Sequence, residues 1–250
     1  MKLQKTASQP GKNIDETAIR NALPVLYKEI GELQLALYAE AKKSLLVIFQ
    51  GMDASGKDGV IKNVFSETNP MGTRVLSFKK PTEHEYAHDF LWRIHANVPP
   101  AGMIHMFNRS HYEEIIIPTV LKSMPTSIIN KRYEHINNFE RMLEENGTTV
   151  LKFFLHVSKV EQKDRLKERL TNPKKFWKHK DEDWESTKKW DQFMKVYDRV
   201  FDKCDDIPWH IIPSDKNWYK EFLVAEKVID ALKRIKPKYP ALITTMKKSG

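Results

Sequence analysis

Residues 46–59 read Leu-Val-Ile-Phe-Gln-Gly-Met-Asp-Ala-Ser-Gly-Lys-Asp-Gly. An apolar run precedes Gly51-x4-Gly56-Lys57, and a helical pattern follows it. The order strand, glycine loop, helix constrains the fold strongly. The glycines let backbone N–H groups turn inward around an oxyanion, and the helix N-terminus adds its dipole. This is the Walker A phosphate-loop pattern. Gly51, Ala54, Ser55, Gly56 and Lys57 are therefore candidate phosphate-binding residues, with Lys57 reaching the phosphoryl group in transfer. Two positions depart from the common form. Asp58 stands where Ser or Thr usually holds magnesium, and Asp53 puts a second carboxylate inside the loop. Carboxylates beside phosphates repel them unless a metal lies between. The loop thus points to metal-assisted phosphoryl transfer. Asp58 can also be read as an acid favoured by the helix dipole, and Asp53 as a turn cap.

The flanking pattern extends the argument. Leu45–Gln50 is nearly all apolar, as a central parallel strand buried on both faces must be. Further strands are expected at 74–80, 103–107, 149–157 and 209–213. Helices are expected at 17–43, 56–68, 82–96, 111–122, 131–145, 159–170, 187–203 and 217–235. Such alternation builds βαβ units around a parallel sheet, with ligands beyond the carboxyl ends of the strands. That rule gathers residues 53–58, Lys79–Thr82 and 108–111 around one crevice. Arg109 then becomes a second cation for phosphate, or else a partner in a structural ion pair. The apolar stripe of 17–43 suits either the core or a subunit contact.

The chain has 42 Lys and Arg against 33 Asp and Glu, a net charge of +9. Such an excess favours anionic partners. It is concentrated in 163–180, which holds Arg165, Arg169, Lys174, Lys175 and Lys178. Residues 171–186 have little apolar periodicity and suit a mobile lid that clamps phosphates. A solvated lysine face is the plainer reading of 174, 175 and 178. Trp177, Trp184 and Trp190 resemble a stacking set for single-stranded nucleic acid, although their helical spacing suits packing better. No apolar run approaches the roughly 20 residues of a membrane span. The polar stretch 1–13 lacks a signal-peptide core, and Cys204 is the single cysteine. A cytoplasmic protein with no membrane partner is expected. Residues 1–13 are expected to be a disordered tail, 14–236 one domain with a lid at about 160–190, and 237–250 a C-terminal tail.

Gly51-Met52-Asp53-Ala54-Ser55-Gly56-Lys57-Asp58-Gly59 resembles the phosphate loop of the family-2 polyphosphate kinases. Similar to the same family are Lys80-Pro81-Thr82, the run Phe107–Glu113 and Ile136-Asn137-Asn138-Phe139-Glu140. Arg165-x3-Arg169-x3-Pro173-x-Lys175-x-Trp177-Lys178 looks like its lid. The resemblance covers about residues 20–235. It implies a thymidylate-kinase-like, three-layer α/β P-loop kinase fold with a central parallel sheet and a basic helical lid. It implies magnesium, with manganese as the alternative, and phosphate transfer between inorganic polyphosphate and adenine or guanine nucleotides. Asp53 matches the family's metal-binding aspartate, and Lys57 and Arg109 match residues holding the phosphates between donor and acceptor. Arg165, Arg169, Lys175 and Lys178 match lid cations along the polyphosphate path. Lys80, Pro81, Thr82, Asn108 and Glu113 are expected on the nucleotide side, with Lys80 and Asp58 also phosphate-binding candidates and Asn108 also a metal candidate.

Many members carry Asp where this chain has Asn108, and Trp-Tyr-Asn where it has His111-Tyr112-Glu113. The version present here resembles the subgroup that phosphorylates both AMP and ADP. The family's dimers and tetramers imply a homodimer or homotetramer. Two other readings remain: an ATP-dependent nucleoside monophosphate kinase, against which Asp58 counts, and a nucleic-acid-binding module. The first reading excludes nucleic acid as a partner.

Overall fold

The computed structural model describes residues 3–242. Its centre is a five-stranded parallel sheet ordered β2-β3-β1-β4-β5. The strands are β1 (Ser44–Gln50), β2 (Thr73–Ser77), β3 (Ile104–Asn108), β4 (Thr148–His156) and β5 (Trp209–Pro213). β1 pairs with β3 through Val47↔Met106 and with β4 through Val47↔Leu151. Every β1 residue is buried, which explains its unbroken apolar run.

Side chains alternate across a strand, so each strand serves two cores. Leu45, Val47 and Phe49 of β1 and Leu151, Phe153 and Leu155 of β4 face one helical layer. That layer is α1 (Glu16–Glu40), α2 (Lys57–Val64) and α10 (Asn217–Ile235). Leu46 and Ile48, with Val150 and Phe154, face the other. Here lie α5 (Glu113–Leu121), α6 (Thr126–Glu145) and α9 (Trp190–Lys203). In α1, Leu23, Ile30 and Leu37 are buried, and Ile30 and Leu37 join the core shared with α10.

Several expectations are adjusted. The helix after the loop ends at Val64, short of residue 68. The helix expected over 82–96 is split into α3 (Glu83–Tyr86) and α4 (Trp92–His95). Between them the Asp89 carboxylate accepts the Leu91 N–H at 2.9 Å, in a turn that precedes α4. Segment 171–186 is more ordered than its composition suggests. It leaves α7 (Lys159–Thr171), forms a 3₁₀ turn at Pro173–Lys178, and enters α8 (Asp181–Lys188). The 3₁₀ turn is capped by a polar side chain, which hydrophobic periodicity does not register: Asn172 accepts from the Lys174 N–H at 3.1 Å.

The expected tail at 1–13 is also corrected over its described part. Leu3 is fully buried, and its N–H donates to Asp198 at 2.9 Å. The Thr6 carbonyl meets His156 Nε2 at 3.1 Å, and Ser8 donates to Asp215 at 2.9 Å. Within the expected tail at 237–250, residues 237–242 are irregular, and 243–250 lie outside the described residues.

Candidate active site

The loop after β1, the ends of β2 and β3, and the lid enclose a crevice of 860 Å³. It lies beyond the carboxyl edge of the sheet, where a parallel sheet leaves room for ligands. Gly51 adopts φ +149, and a Cβ there would stand 2.8 Å from the Leu155 carbonyl oxygen. Gly56 begins α2 at φ +95. Ala54 takes φ 60, a left-handed conformation uncommon without glycine. Lys57 is buried and closes the loop on itself. Its Nζ donates to the carbonyls of Gly51 (2.9 Å) and Met52 (3.1 Å) and to Ser55 Oγ (3.4 Å). Burial, reinforced by Arg109, pushes Lys57 down to about 8; Asp53, Glu113 and Asp58 oppose that shift.

Arg109 follows β3 directly. Its N–H donates to the Phe49 carbonyl at 3.0 Å, and its backbone adopts φ 64. The guanidinium pairs with Asp53 and reaches Glu113 at 3.4 Å. Glu113 most of all, with Asp53, holds it protonated against burial. Asn108 donates to Asp58 at 2.7 Å, and Lys178 of the lid reaches the other oxygen of Asp58 at 3.3 Å. Partial burial opposes ionisation of Asp58, but Asn108 and Lys178 outweigh it and lower its pKa.

Behind this segment lies a buried polar cluster. Lys152 Nζ donates to Glu140 (2.7 Å), Tyr112 Oη (2.9 Å) and the Cys204 carbonyl (3.0 Å). The other Glu140 oxygen accepts from Tyr112 at 2.8 Å and meets His111 Nε2 at 3.1 Å. Burial disfavours the Glu140 charge, yet Lys152 and His111 hold its carboxyl below the usual range. The cluster pins residues 111 and 112, and through them the turn that carries Arg109.

The lid docks through buried polar contacts. Gln162 donates to the Asp53 carbonyl at 3.1 Å and accepts from Thr187 at 2.9 Å. The Arg165 guanidinium is spent on protein: Ala54 O (3.0 Å), Ser214 O (2.8 Å), Asp215 O (3.0 Å) and Glu161 (2.8 Å). Arg169 pairs with Asp183 and donates to the Lys178 carbonyl at 3.0 Å. Burial and the nearby Asp53 raise the Asp183 pKa against the pull of Arg169. Lys175 pairs with Glu168 at 2.6 Å. All four predicted lid cations line the crevice, but Arg165 and Arg169 act first as braces.

Of the predicted site residues, Asp53, Ala54, Gly56, Lys57, Asp58, Asn108 and Arg109 also line the crevice. Gly51 and Ser55 shape the loop from behind, and Glu113 touches Arg109. Lys80, Pro81 and Thr82 are not in the crevice wall. Thr82 is occupied as the cap of α3, in a reciprocal capping box with Glu85. Lys79 lines the crevice in their stead, as do Lys220 and Asn217 of α10. Trp190 is buried, as packing requires, whereas Trp177 is 77% exposed on the lid.

Among the described residues, no three His, Cys, Asp or Glu groups lie close enough to form a metal cage. Asp53 and Asp58 nevertheless open onto the crevice beside the phosphate loop. A one- or two-carboxylate set of this kind fits magnesium, which completes its shell with water and substrate phosphates.

Known proteins share this architecture. The family model described as Polyphosphate kinase 2 (PPK2) matches residues 13–240. An AMP/ADP-polyphosphate phosphotransferase of Meiothermus ruber is 46% identical over 233 residues, covering 92% of this chain and 87% of the relative. An ADP-polyphosphate phosphotransferase of Rhodopseudomonas palustris is 40% identical over 227 residues, covering 85% and 78%. The crystal structure of Polyphosphate Kinase 2 from Arthrobacter aurescens TC1 superposes with a TM-score of 0.94 at 36% identity, covering 98% of this chain and 90% of that one. With a glycine loop, a post-β3 arginine and a basic lid converging on one crevice, and with this family model matching nearly the whole chain, the protein belongs to the polyphosphate kinase 2 family.

Proposed function

We propose that the crevice carries magnesium-dependent phosphate transfer between inorganic polyphosphate and nucleotides, taking AMP to ADP and ADP to ATP. The observation that carries this reading is the convergence of Lys57, Arg109, Lys175, Lys178 and Lys220 on one cavity that Asp53 and Asp58 also line. A condensed polyanion needs many cations and little covalent help.

A terminal phosphate oxygen of the nucleotide attacks the end phosphorus of polyphosphate. The bond from that phosphorus to its bridging oxygen breaks, and the chain leaves one unit shorter. The nucleotide oxygen is already ionised, so no strong general base is required. Lys57 exchanges loop carbonyls for phosphate oxygens, and Arg109 stands where charge accumulates between donor and acceptor. Asp53, with Asn108 and Asp58 beside it, would hold magnesium, which when bound neutralises phosphate charge. Asp53 then has a second task, orienting the Arg109 guanidinium. Lys79, just after β2, and Asn108 bound the nucleotide side; Lys80–Thr82 follow Lys79 in the chain. The lid side, with Lys175, Lys178 and Trp177, is assigned to polyphosphate.

A cytoplasmic location and a homodimer or homotetramer accompany this reading. No helix among the described residues is long and apolar enough to cross a membrane. Exposed Val25, Leu35 and Tyr38 on α1 leave apolar surface for a second copy. The test offers AMP and ADP separately with long-chain polyphosphate and magnesium and separates products by chromatography. ADP from AMP and ATP from ADP are expected. No transfer from polyphosphate, with AMP phosphorylated once ATP is supplied, would replace this reading with that of an ATP-dependent kinase.

A further inference from the structure

α10 carries a lysine where its apolar face should continue. Lys220 lies on the stripe that holds Val224, Val228, Ala231 and Ile235, all buried, and is itself 1% exposed. Its side chain runs through the core layer and brings its ammonium to the phosphate loop. A Cβ placed on Gly56 would come within 2.2 Å of Lys220 Nζ, and within 3.5 Å of Arg165. Lys220 therefore ends at the point where the loop opens into the crevice, which it lines.

Its bonding is incomplete. An ammonium has three donors. Among the described residues, Nζ has one hydrogen-bond acceptor, the neutral Asn217 Oδ1 at 2.9 Å, and no ion pair. The nearby carboxylates are committed elsewhere. Glu161 serves Arg165, while Glu221 accepts from Asn63 at 2.8 Å and Tyr27 at 3.2 Å. Buried charges are ordinarily paired. A buried lysine held by one neutral amide beside a phosphate loop lacks an anion.

Resting on the function proposed above, we infer that Lys220 is a phosphate-chain ligand, donating to polyphosphate oxygens on the lid side of Gly56 while Lys57 and Arg109 hold the reacting end. The role suits Lys220 better than Arg165, whose guanidinium is occupied by carbonyls and Glu161. The ionisation of Lys220 is consistent with it. Burial, then Arg165, with Lys57 adding, pushes Lys220 down to about 7 against Glu221 and Glu161. Asp215, whose carbonyl accepts from Arg165, also lines the crevice. An arriving polyanion would restore the proton.

The test compares wild type with Lys220→Met and Lys220→Gln. KM is measured separately for polyphosphate and for nucleotide, alongside thermal melts and tripolyphosphate binding by calorimetry. Removal of a charge-assisted donor predicts a rise of roughly tenfold to a hundredfold in polyphosphate KM. Nucleotide KM should hold within about twofold, and the melting temperature of Lys220→Met should not fall, because an apolar side chain replaces an unpaired buried charge. The loss should be largest below pH 7, where Lys220 is charged in the free enzyme, and shrink above it. The inference is overturned if both variants keep the wild-type polyphosphate KM, or if both KM values rise together as the melting temperature drops. A wild type that transfers nothing would instead defeat the functional reading. Tripolyphosphate affinity then decides Lys220 alone, and equal affinity in wild type and Lys220→Gln would count against it.

Discussion

Glu140→Gln tests whether the site rests on a buried ion pair. Lys152 and Glu140 have side-chain exposures of 0% and 1% and lie 2.7 Å apart. Neither can turn to water when its partner is neutralised. Removing one member of such a pair costs about 3–5 kcal/mol, because the surviving charge stays buried. Glutamine still offers an amide oxygen to Lys152, so the lower end applies, about 3 kcal/mol. In a chain of this size that amounts to a fall of roughly 6–12 °C in melting temperature. Lys152→Met should cost a similar amount, since it strands Glu140 with His111 and Tyr112.

The double variant decides the matter. Once Lys152 is gone, neutralising Glu140 removes a stranded carboxylate. The pair of changes should therefore cost less than the two single costs together, by at least about 2 kcal/mol. Thermal melts of the four proteins complete the cycle. The pH dependence supplies an independent sign. The Glu140 pKa is lowered on folding, so its contribution is fully present above the ordinary glutamate value of about 4.5. It is lost as pH falls below that value. Wild type should therefore lose stability more steeply than Glu140→Gln below about pH 4.5. Additive single costs, or parallel acid limbs, would refute the pairing. The folded fraction of Glu140→Gln should also lose turnover by on the order of tenfold to a hundredfold, because Tyr112 and His111 no longer fix the turn bearing Arg109.

Two further outcomes follow from the crevice. Lys57→Ala should lower turnover by orders of magnitude while the protein stays folded; near-normal turnover would remove Lys57 from the site. Asp53→Asn should raise the magnesium concentration needed for half-maximal rate and release Arg109 from its nearest carboxylate, so that both magnesium dependence and kcat change; an unchanged magnesium titration would move the metal to Asp58.

Much of this was legible in the chain because the signals are local. The Gly51–Lys57 loop announces itself through glycine spacing between an apolar run and a helix. The buried β1 announces itself through composition, and α10 was readable to its boundaries through its period. Other features were illegible for definite reasons. The break between α3 and α4 falls at a turn where the Asp89 side chain holds the Leu91 N–H, inside an otherwise helical pattern. The docking of Leu3 depends on Asp198, far along the chain. The bracing of Arg165 depends on carbonyls at Ala54, Ser214 and Asp215, and a sequence does not show backbone oxygens converging. Thr82 is expected on the nucleotide side, and its side chain is taken by the cap of α3.

Buried lysines carry a signal of their own. Lys57, Lys152 and Lys220 each occupy a buried position, and the registers of the last two are visible from sequence. Lys152 falls between Val150 and Phe154 on one face of β4; Lys220 begins the buried stripe of α10. A lysine in a core register must find an acceptor, lose its proton or await a ligand. The structure separates these cases by what surrounds each ammonium. Lys152 meets a carboxylate, a phenol and a carbonyl, so its charge is satisfied and its work is structural. Lys57 meets only carbonyls and a hydroxyl, which neutralise nothing and are readily exchanged for phosphate. Lys220 meets one amide. The two lysines without a carboxylate partner are the two that border the crevice, and burial lowers the pKa of both. Their unpaired charge is consistent with a site built for an anion that carries its own negative charge into the protein.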